Sequence, residues 1–235
     1  MIVAAGRGVR AQRAGAGGAA RQPAKQFRLV GGQPLLLRAL RPFARHPRVG
    51  PIVLVLPAAE AAAPPEWLKP LLSDRLLITA GGAARQQSVA NGLACLPPGP
   101  ALVLVHDAAR PFVEPELIDR VLAVAEQGAA AVPALPLADT VKETDTAGLV
   151  VRTVPRDRLV AVQTPQAFPR AMLETAHQHA RAGADEAGAA ATDDAALCER
   201  LGLPVRIVPG SARNIKLTTA DDFALADALV ARSAP

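Results

Sequence analysis

The sequence predicts an α/β protein with a doubly wound, mostly parallel sheet, a single domain spanning 1–235, and a β-arm projecting over 137–165. Three observations predict it. Short apolar runs rich in Val, Leu and Ile alternate with stretches of helical period, the pattern of a parallel sheet covered by helices. Glycine-rich or charged turns follow the carboxyl ends of those runs, where open α/β sheets bind ligands. The rhythm breaks once, at 137–165, where β-branched segments of period two replace it.

Taken in order, the run 2–5 is the first strand, and it is short because the loop begins almost at once; a start upstream of Met1 would lengthen it. Residues 27–34 read as a turn and 34–45 as a helix that sets Leu36, Leu40 and Phe43 on one face, with Pro34 at its start. The run 52–56 is continuously apolar, as in a strand buried on both faces. A helix over 65–72 and a strand over 75–79 follow, then Gly81-Gly82 and a helix continuing to 96. The strand 101–105 delivers His106 and Asp107 at its carboxyl end, and helix 114–126 leads to strand 130–134. In the arm, 139–143 and 149–154 flank a turn near 145–148 as a β-hairpin. A hairpin alone cannot bury its faces, so it is expected to pack on a second copy in a homodimer. Helices 170–181 and 193–201, a strand 205–208, a strand-like segment 214–218 and a helix 221–230, capped by Thr219 or Thr218, complete the chain.

Composition narrows the function. Aromatic residues are 3% and Tyr is absent, which argues against the stacking platforms of a nucleic-acid binder. The formal charge of +5 comes largely from scattered arginines, which suits small phosphorylated ligands better than a duplex. Cys95 and Cys198 stand apart with no Cys/His cluster for zinc, as expected of buried thiols in a reducing compartment. No apolar stretch reaches the roughly 20 residues of a membrane span, and no signal-peptide layout opens the chain, so the expected location is the cytoplasm, with no membrane or nucleic-acid partner.

Several residues carry candidate chemistry. After the first strand, Gly6 and Gly8 allow close approach of backbone to a ligand, and Arg7, Arg10, Arg13, Arg21 and Lys25 can neutralise phosphate charge. The stretch reads as a triphosphate cradle or, by itself, equally as a flexible surface loop. Asp107 at a strand end beside such a loop suggests Mg2+, which uses one or two carboxylates plus phosphate oxygens; the alternative is a cap for the next turn. His106 points to the opposite face and reads as packing. His177 and His179, two apart on a helix, do not share a face and read as solvated surface. Thr192 followed by Asp193 and Asp194 reads as a helix cap with acids in the first turn. Lys216 reads singly as a solvated lysine or a functional one.

The ordered set is more specific than its parts. Ala4-Ala5-Gly6-Arg7-Gly8 with Arg10 and Lys25-Gln26, Gly81-Gly82 with Arg85 and Ser88-Val89, the stretch 106–111, Asp139-Thr140-Val141-Lys142, Gln163-Thr164-Pro165-Gln166, Thr192-Asp193 and Asn214-Ile215-Lys216 together resemble the 2-C-methyl-D-erythritol 4-phosphate cytidylyltransferases over nearly the whole chain. The resemblance implies a nucleotidyltransferase (Rossmann-like) fold and transfer of a cytidylyl group from CTP to methylerythritol phosphate, releasing pyrophosphate, in non-mevalonate isoprenoid synthesis. By matching position it implies that Arg10, Lys25 and Lys216 are catalytic and that Asp107 binds Mg2+. Ala4, Ala5, Gly6, Gly8, Gly82, Arg85, Ser88 and Ala108 would surround the nucleotide, with Ser88 reading the cytosine edge. Arg110, Thr164 and Thr192 would line the methylerythritol phosphate pocket, and Thr140 and Arg156 would reach its phosphate across the dimer. Two departures from the family's pattern stand near Lys25: an inserted-looking stretch at 13–20, and Ala24 where proline is usual.

The nearest rival is a cytidylyltransferase for ribitol or another polyol phosphate, whose relatives tend to carry Leu-Ala-Gly-Gly at the first loop and Ser-Val in place of Ala108-Ala109. A catalytically silent nucleotide-binding subunit is the other. The joint presence of Arg10, Lys25, Asp107 and Lys216 speaks against it.

Overall fold

The structure is a computed structural model that describes residues 1–6, 24–183 and 191–233. Its frame is an eight-stranded sheet. Strand β1 (Ile2–Val3) lies between β4 (Ile52–Leu56) and β6 (Leu102–Asp107), parallel to both, and β5 (Leu76–Ala80) extends the sheet beyond β4. Two further pieces, β2 (Leu29–Val30) and β3 (Gln33–Pro34), form a small hairpin whose Gly31 and Gly32 take positive φ. Strand β1 is two residues long where 2–5 was expected, because Ala4 and Ala5 already turn into the loop.

The expected parallel order holds for most of the sheet, with two short strands running antiparallel to it. Beyond β6 come β11 (Gln166–Pro169), antiparallel to both neighbours, and then β7 (Ala130–Pro136). β10 (Val160–Val162) continues on the same edge of β7 as β11, and β12 (Val205–Pro209) runs parallel along the other. Neither β10 nor β11 is among the strands expected from the sequence; these short runs become strands because the open edges of β6 and β7 supply their ladders. The expected arm is present as the antiparallel pair β8 (Val141–Thr144) and β9 (Val150–Val154), which forms its own two-stranded sheet.

Alternation along β4 shows why both sheet faces are covered. Ile52, Leu54 and Leu56 pack with Leu36, Leu40 and Phe43 of α1 (Leu35–Arg45) and with Ile118 and Leu122 of α4 (Pro115–Ala125). Val53 and Val55 face the other way, toward Val89 and Leu93 of α3 (Arg85–Cys95), Leu173 of α5 (Arg170–Arg181) and Leu197 of α6 (Asp194–Arg200). All five side chains of β4 are buried, so each sheet face contributes to the core. The last helix, α7 (Ala220–Ser233), docks Phe223 and Ala226 on Val30, Leu35 and Leu217. Thr219 caps it as expected: its hydroxyl accepts from the Asp222 N–H, and the Asp222 carboxylate accepts from the N–H groups of Thr218 and Thr219.

Five local expectations change. The stretch 65–72 holds only a 3-10 turn (Lys69–Leu71), and the α-helix of this connection is α2 (Ala58–Ala62), upstream of the prolines. The segment 214–218 is irregular, tied to the strand-end loop by the Leu217 N–H donating to the Ala109 carbonyl. Asp193, not Thr192, is the N-cap of α6, accepting from the Ala196 N–H at 3.0 Å. His177 is buried rather than on a solvated surface, with Asp194 as its partner, whereas His179 is exposed as expected. Cys198 is buried, which pushes its thiol up to about 12, with Asp194 and Glu199 adding to the shift; Cys95 is only half-buried.

Candidate active site

The carboxyl ends of β1, β5 and β6 and the start of α3 enclose a cavity of about 460 Å³. Ala4, Ala5 and Gly6 form one wall, and Gly82, Arg85 and Ser88 another. Asp107, Ala108, Lys25 and Lys216 complete the polar part. All of these residues were singled out in the sequence, and the parallel order of β4, β1 and β6 brings them together from separate stretches of the chain. Arg10 and Gly8 lie outside the described residues.

Glycine is needed at 81 and 82. A Cβ on Gly81 would stand 2.2 Å from the Ala5 Cβ and 2.9 Å from the Ser88 Oγ, and one on Gly82 would overlap the Gln87 side chain. The Ser88 hydroxyl accepts from the Gly82 N–H at 3.1 Å and donates to the Ala84 carbonyl at 3.0 Å. It thereby holds the turn into α3 in shape.

Asp107 is the electrostatic centre of the cavity. Lys216 Nζ reaches its Oδ2 at 2.7 Å, and Arg85 Nε stands 3.4 Å from its Oδ1. Burial alone would raise the pKa of Asp107, but the Arg85 and Lys216 charges outweigh it and hold the carboxyl well below the usual carboxylate range. Arg85 is itself raised: burial works against its charge, and Asp194 and then Asp107 more than compensate. Two buried donors at the cavity, Arg85 Nη2 and Gln26 Nε2, have no protein acceptor. Cations and unused N–H groups around one ionised carboxylate suit an anionic ligand.

Magnesium also fits this donor set. Asp107 is the one carboxylate among the described residues lining the cavity, and it stays ionised. A single carboxylate completed by phosphate oxygens and water is a usual arrangement for this ion.

The remaining sequence candidates sit elsewhere. Thr164 and Arg110 are buried behind the cavity. The Thr164 Oγ accepts from the Asp107 N–H at 3.0 Å, and the Arg110 guanidinium donates to the carbonyls of Asn214 and Val162. Thr192 is exposed just before α6, and Thr140 and Arg156 are exposed at the base of the arm, where Arg156 donates to the Ala138 carbonyl. A single chain therefore does not bring these residues to the cavity wall.

His106 packs against Phe43 as expected and supports Asp107 from behind. Supporting residues that sequence reasoning missed are Asp194 and His177, which hold Arg85, and Asn214, whose amide donates to the Thr164 carbonyl at 2.8 Å. The stretch Thr192-Asp193-Asp194 held the relevant acid, but its spacing does not separate a first-turn acid from a buried one.

Comparison with known proteins adds three findings. A family profile described as 2-C-methyl-D-erythritol 4-phosphate cytidylyltransferase matches residues 1–232. The chain is 47% identical over 234 residues to a bifunctional enzyme IspD/IspF of Nitratidesulfovibrio vulgaris (strain DP4), covering 97% of this chain and 57% of that protein. It thus spans little more than half the length of the bifunctional relatives it matches. It is 43% identical to the 2-C-methyl-D-erythritol 4-phosphate cytidylyltransferase of Frankia casuarinae, covering 100% of this chain and 82% of that one. The crystal structure of the enzyme of that name from Thermus thermophilus superposes with a TM-score of 0.78 at 37% identity, covering 98% and 97% of the two chains.

Proposed function

This chain belongs to the 2-C-methyl-D-erythritol 4-phosphate cytidylyltransferase family, and we propose that it converts 2-C-methyl-D-erythritol 4-phosphate and CTP to 4-diphosphocytidyl-2-C-methyl-D-erythritol and pyrophosphate in the cytoplasm. The observation that carries the reading is the cavity itself: Lys25, Arg85 and Lys216 surround one ionised carboxylate, Asp107, at the ends of parallel strands.

The chemistry asks little more of the protein. The acceptor is a phosphate monoester whose second pKa is about 6, so its oxygen is already ionised near neutral pH and needs no general base. That oxygen attacks the α-phosphorus of CTP in line, the bond from the α-phosphorus to the bridging oxygen breaks, and pyrophosphate leaves with the electron pair. Positioning and charge neutralisation then account for the rate. Lys25, with Arg10 by sequence match, would hold the triphosphate. Lys216 would move from Asp107 to the α-phosphate, where charge builds up. Magnesium, held by Asp107, would neutralise triphosphate oxygens. Backbone at Ala4, Ala5 and Gly82 with Ser88 would face the cytosine, and Ala108 the ribose end of the cavity.

The acceptor's phosphate would be held by the arm of a second copy. Leu149, Val150 and Val151 of the hairpin are 68%, 60% and 61% exposed, apolar surface that a homodimer through 137–165 would cover. Thr140 and Arg156 lie at the base of that arm, and in a dimer they would join Arg110, Thr164 and Thr192 around the polyol phosphate.

The test is pyrophosphate release with magnesium and CTP, comparing methylerythritol, ribitol and erythritol phosphates. Release with the first alone is expected; release with another polyol phosphate alone would move the substrate, and silence with all three would refute the activity.

A further inference from the structure

Beside the cavity lies a carboxylate that the proposed chemistry does not use. Asp194, in the first turn of α6, has a side chain only 1% exposed. Arg85 Nη1 donates to its Oδ2 at 2.6 Å, and His177 Nε2 is 3.0 Å from its Oδ1. Arg85 also reaches Asp107, at the longer distance of 3.4 Å, and Lys216 takes the second Asp107 oxygen at 2.7 Å. Lys216, Asp107, Arg85 and Asp194 therefore form a row of alternating charge, two positive and two negative, with a sum of zero.

The unequal distances matter. A guanidinium shared between two carboxylates is bound chiefly to the nearer one, and here the nearer one is out of solvent. Lys216 is nearly half exposed and can leave Asp107 for a ligand phosphate. Arg85 is mostly covered and has no such freedom, so its hold on Asp107 is set by what retains it on the other side. His177 occupies the second Asp194 oxygen and fixes that anchor in place.

We infer that Asp194 is a positioning residue: by retaining Arg85, it keeps Asp107 available to a divalent cation. The inference rests on the nucleotidyltransferase reading above, in which Asp107 holds that cation. Without the Asp194 charge the same row would carry two positive groups and one negative, a sum of +1, and Arg85 would turn to its remaining carboxylate, since a desolvated guanidinium requires a counter-charge. Both effects oppose a divalent cation at Asp107.

The experiment is calorimetric titration of CTP into wild-type protein and variants, once with magnesium and once with EDTA. The dissociation constant in EDTA divided by that in magnesium reports how strongly magnesium supports nucleotide binding. Asp194→Asn, close to isosteric, should lower that ratio about tenfold. Asp194→Glu should restore most of it. In an Arg85→Gln background, Asp194→Asn should change it by less than about twofold, because the mediator is gone. A merely structural role would weaken binding equally in both buffers and leave the ratio unmoved, and that result overturns the inference. So does an undiminished effect in the Arg85→Gln background, or a wild-type enzyme that turns over with CTP affinity indifferent to magnesium. Absence of pyrophosphate release by the wild type with every acceptor would instead strike the nucleotidyltransferase reading itself.

Discussion

Acidification should loosen this fold in part through one side chain, His106. It is fully buried against Phe43, and a closed circuit of hydrogen bonds runs around it in one sense. The Asp107 N–H donates to the Thr164 Oγ at 3.0 Å, and the Thr164 hydroxyl donates to His106 Nδ1 at 3.0 Å. His106 Nε2–H then donates to the Arg110 carbonyl at 3.0 Å, and the Arg110 N–H returns to the Asp107 carbonyl at 3.0 Å. Because a carbonyl can only accept, the ring carries its proton on Nε2, and a second proton on Nδ1 would oppose the Thr164 hydroxyl. Burial therefore lowers the pKa to about 4 from 6.5, although the Arg110 carbonyl and the Asp107 charge pull the other way. The folded pKa lies below the unfolded one, so the stabilisation is complete above pH 6.5 and is lost as pH falls from there toward 4. At pH 5 the loss relative to pH 7.5 is about 2 kcal/mol, rising to about 3 kcal/mol below pH 4. Urea unfolding of the wild type and of His106→Gln, which can keep both bonds without titrating, measures it. Groups common to both proteins cancel in the comparison. With a slope of about 3 kcal/mol per molar urea, the wild-type midpoint should fall about 0.7 M further than the variant's between pH 7.5 and 5. Equal losses in the two proteins would refute the buried neutral histidine, and with it this account of what holds the Asp107 backbone.

The other predictions concern the site directly. Lys216→Ala, which removes the 2.7 Å partner of Asp107, should lower kcat roughly 10²–10³-fold while the CTP dissociation constant moves only a few-fold; a loss confined to affinity would exclude a transition-state contact. Arg156→Ala should raise KM for the polyol phosphate about tenfold with kcat little changed, and Leu149→Asp should shift sedimentation to a monomer; an unchanged KM would remove the arm from the site. Gly81→Ala should cost about 1–3 kcal/mol in stability and weaken CTP binding, because the added methyl meets Ala5 and Ser88; a thermal melt and titration matching wild type would contradict that packing.

Much of this arrangement was legible in the chain. A strand buried on both faces has to be apolar throughout, so 52–56 announces itself, and helices covering both faces repeat Leu and Val at helical spacing, as at Leu36, Leu40 and Phe43. The carboxylate and cations of the site were readable for a related reason. Charged residues placed directly after apolar strands, such as Asp107, stand where a parallel sheet opens its crevice. Strands β10 and β11 were not readable, because their short runs acquire a ladder only from β7 and β6, which lie far away in sequence.

What the sequence by itself determined, then, is the class of sheet, the helices that cover it, and which loops carry the ligand-binding chemistry, since each depends on local periodicity and on residue type. Only the tertiary structure decided the states of the polar side chains. Asp194 and His177 look like surface residues of their helices until α5 and α6 close over them, and Arg85 becomes a shared cation only when two carboxylates from separate strands and helices flank it. The neutral form of His106 likewise follows from a ring of hydrogen bonds among β6, the stretch before β11 and the loop at Arg110. Charge and protonation depend on burial and on partners distant in the chain, and those exist only once the sheet has brought them together.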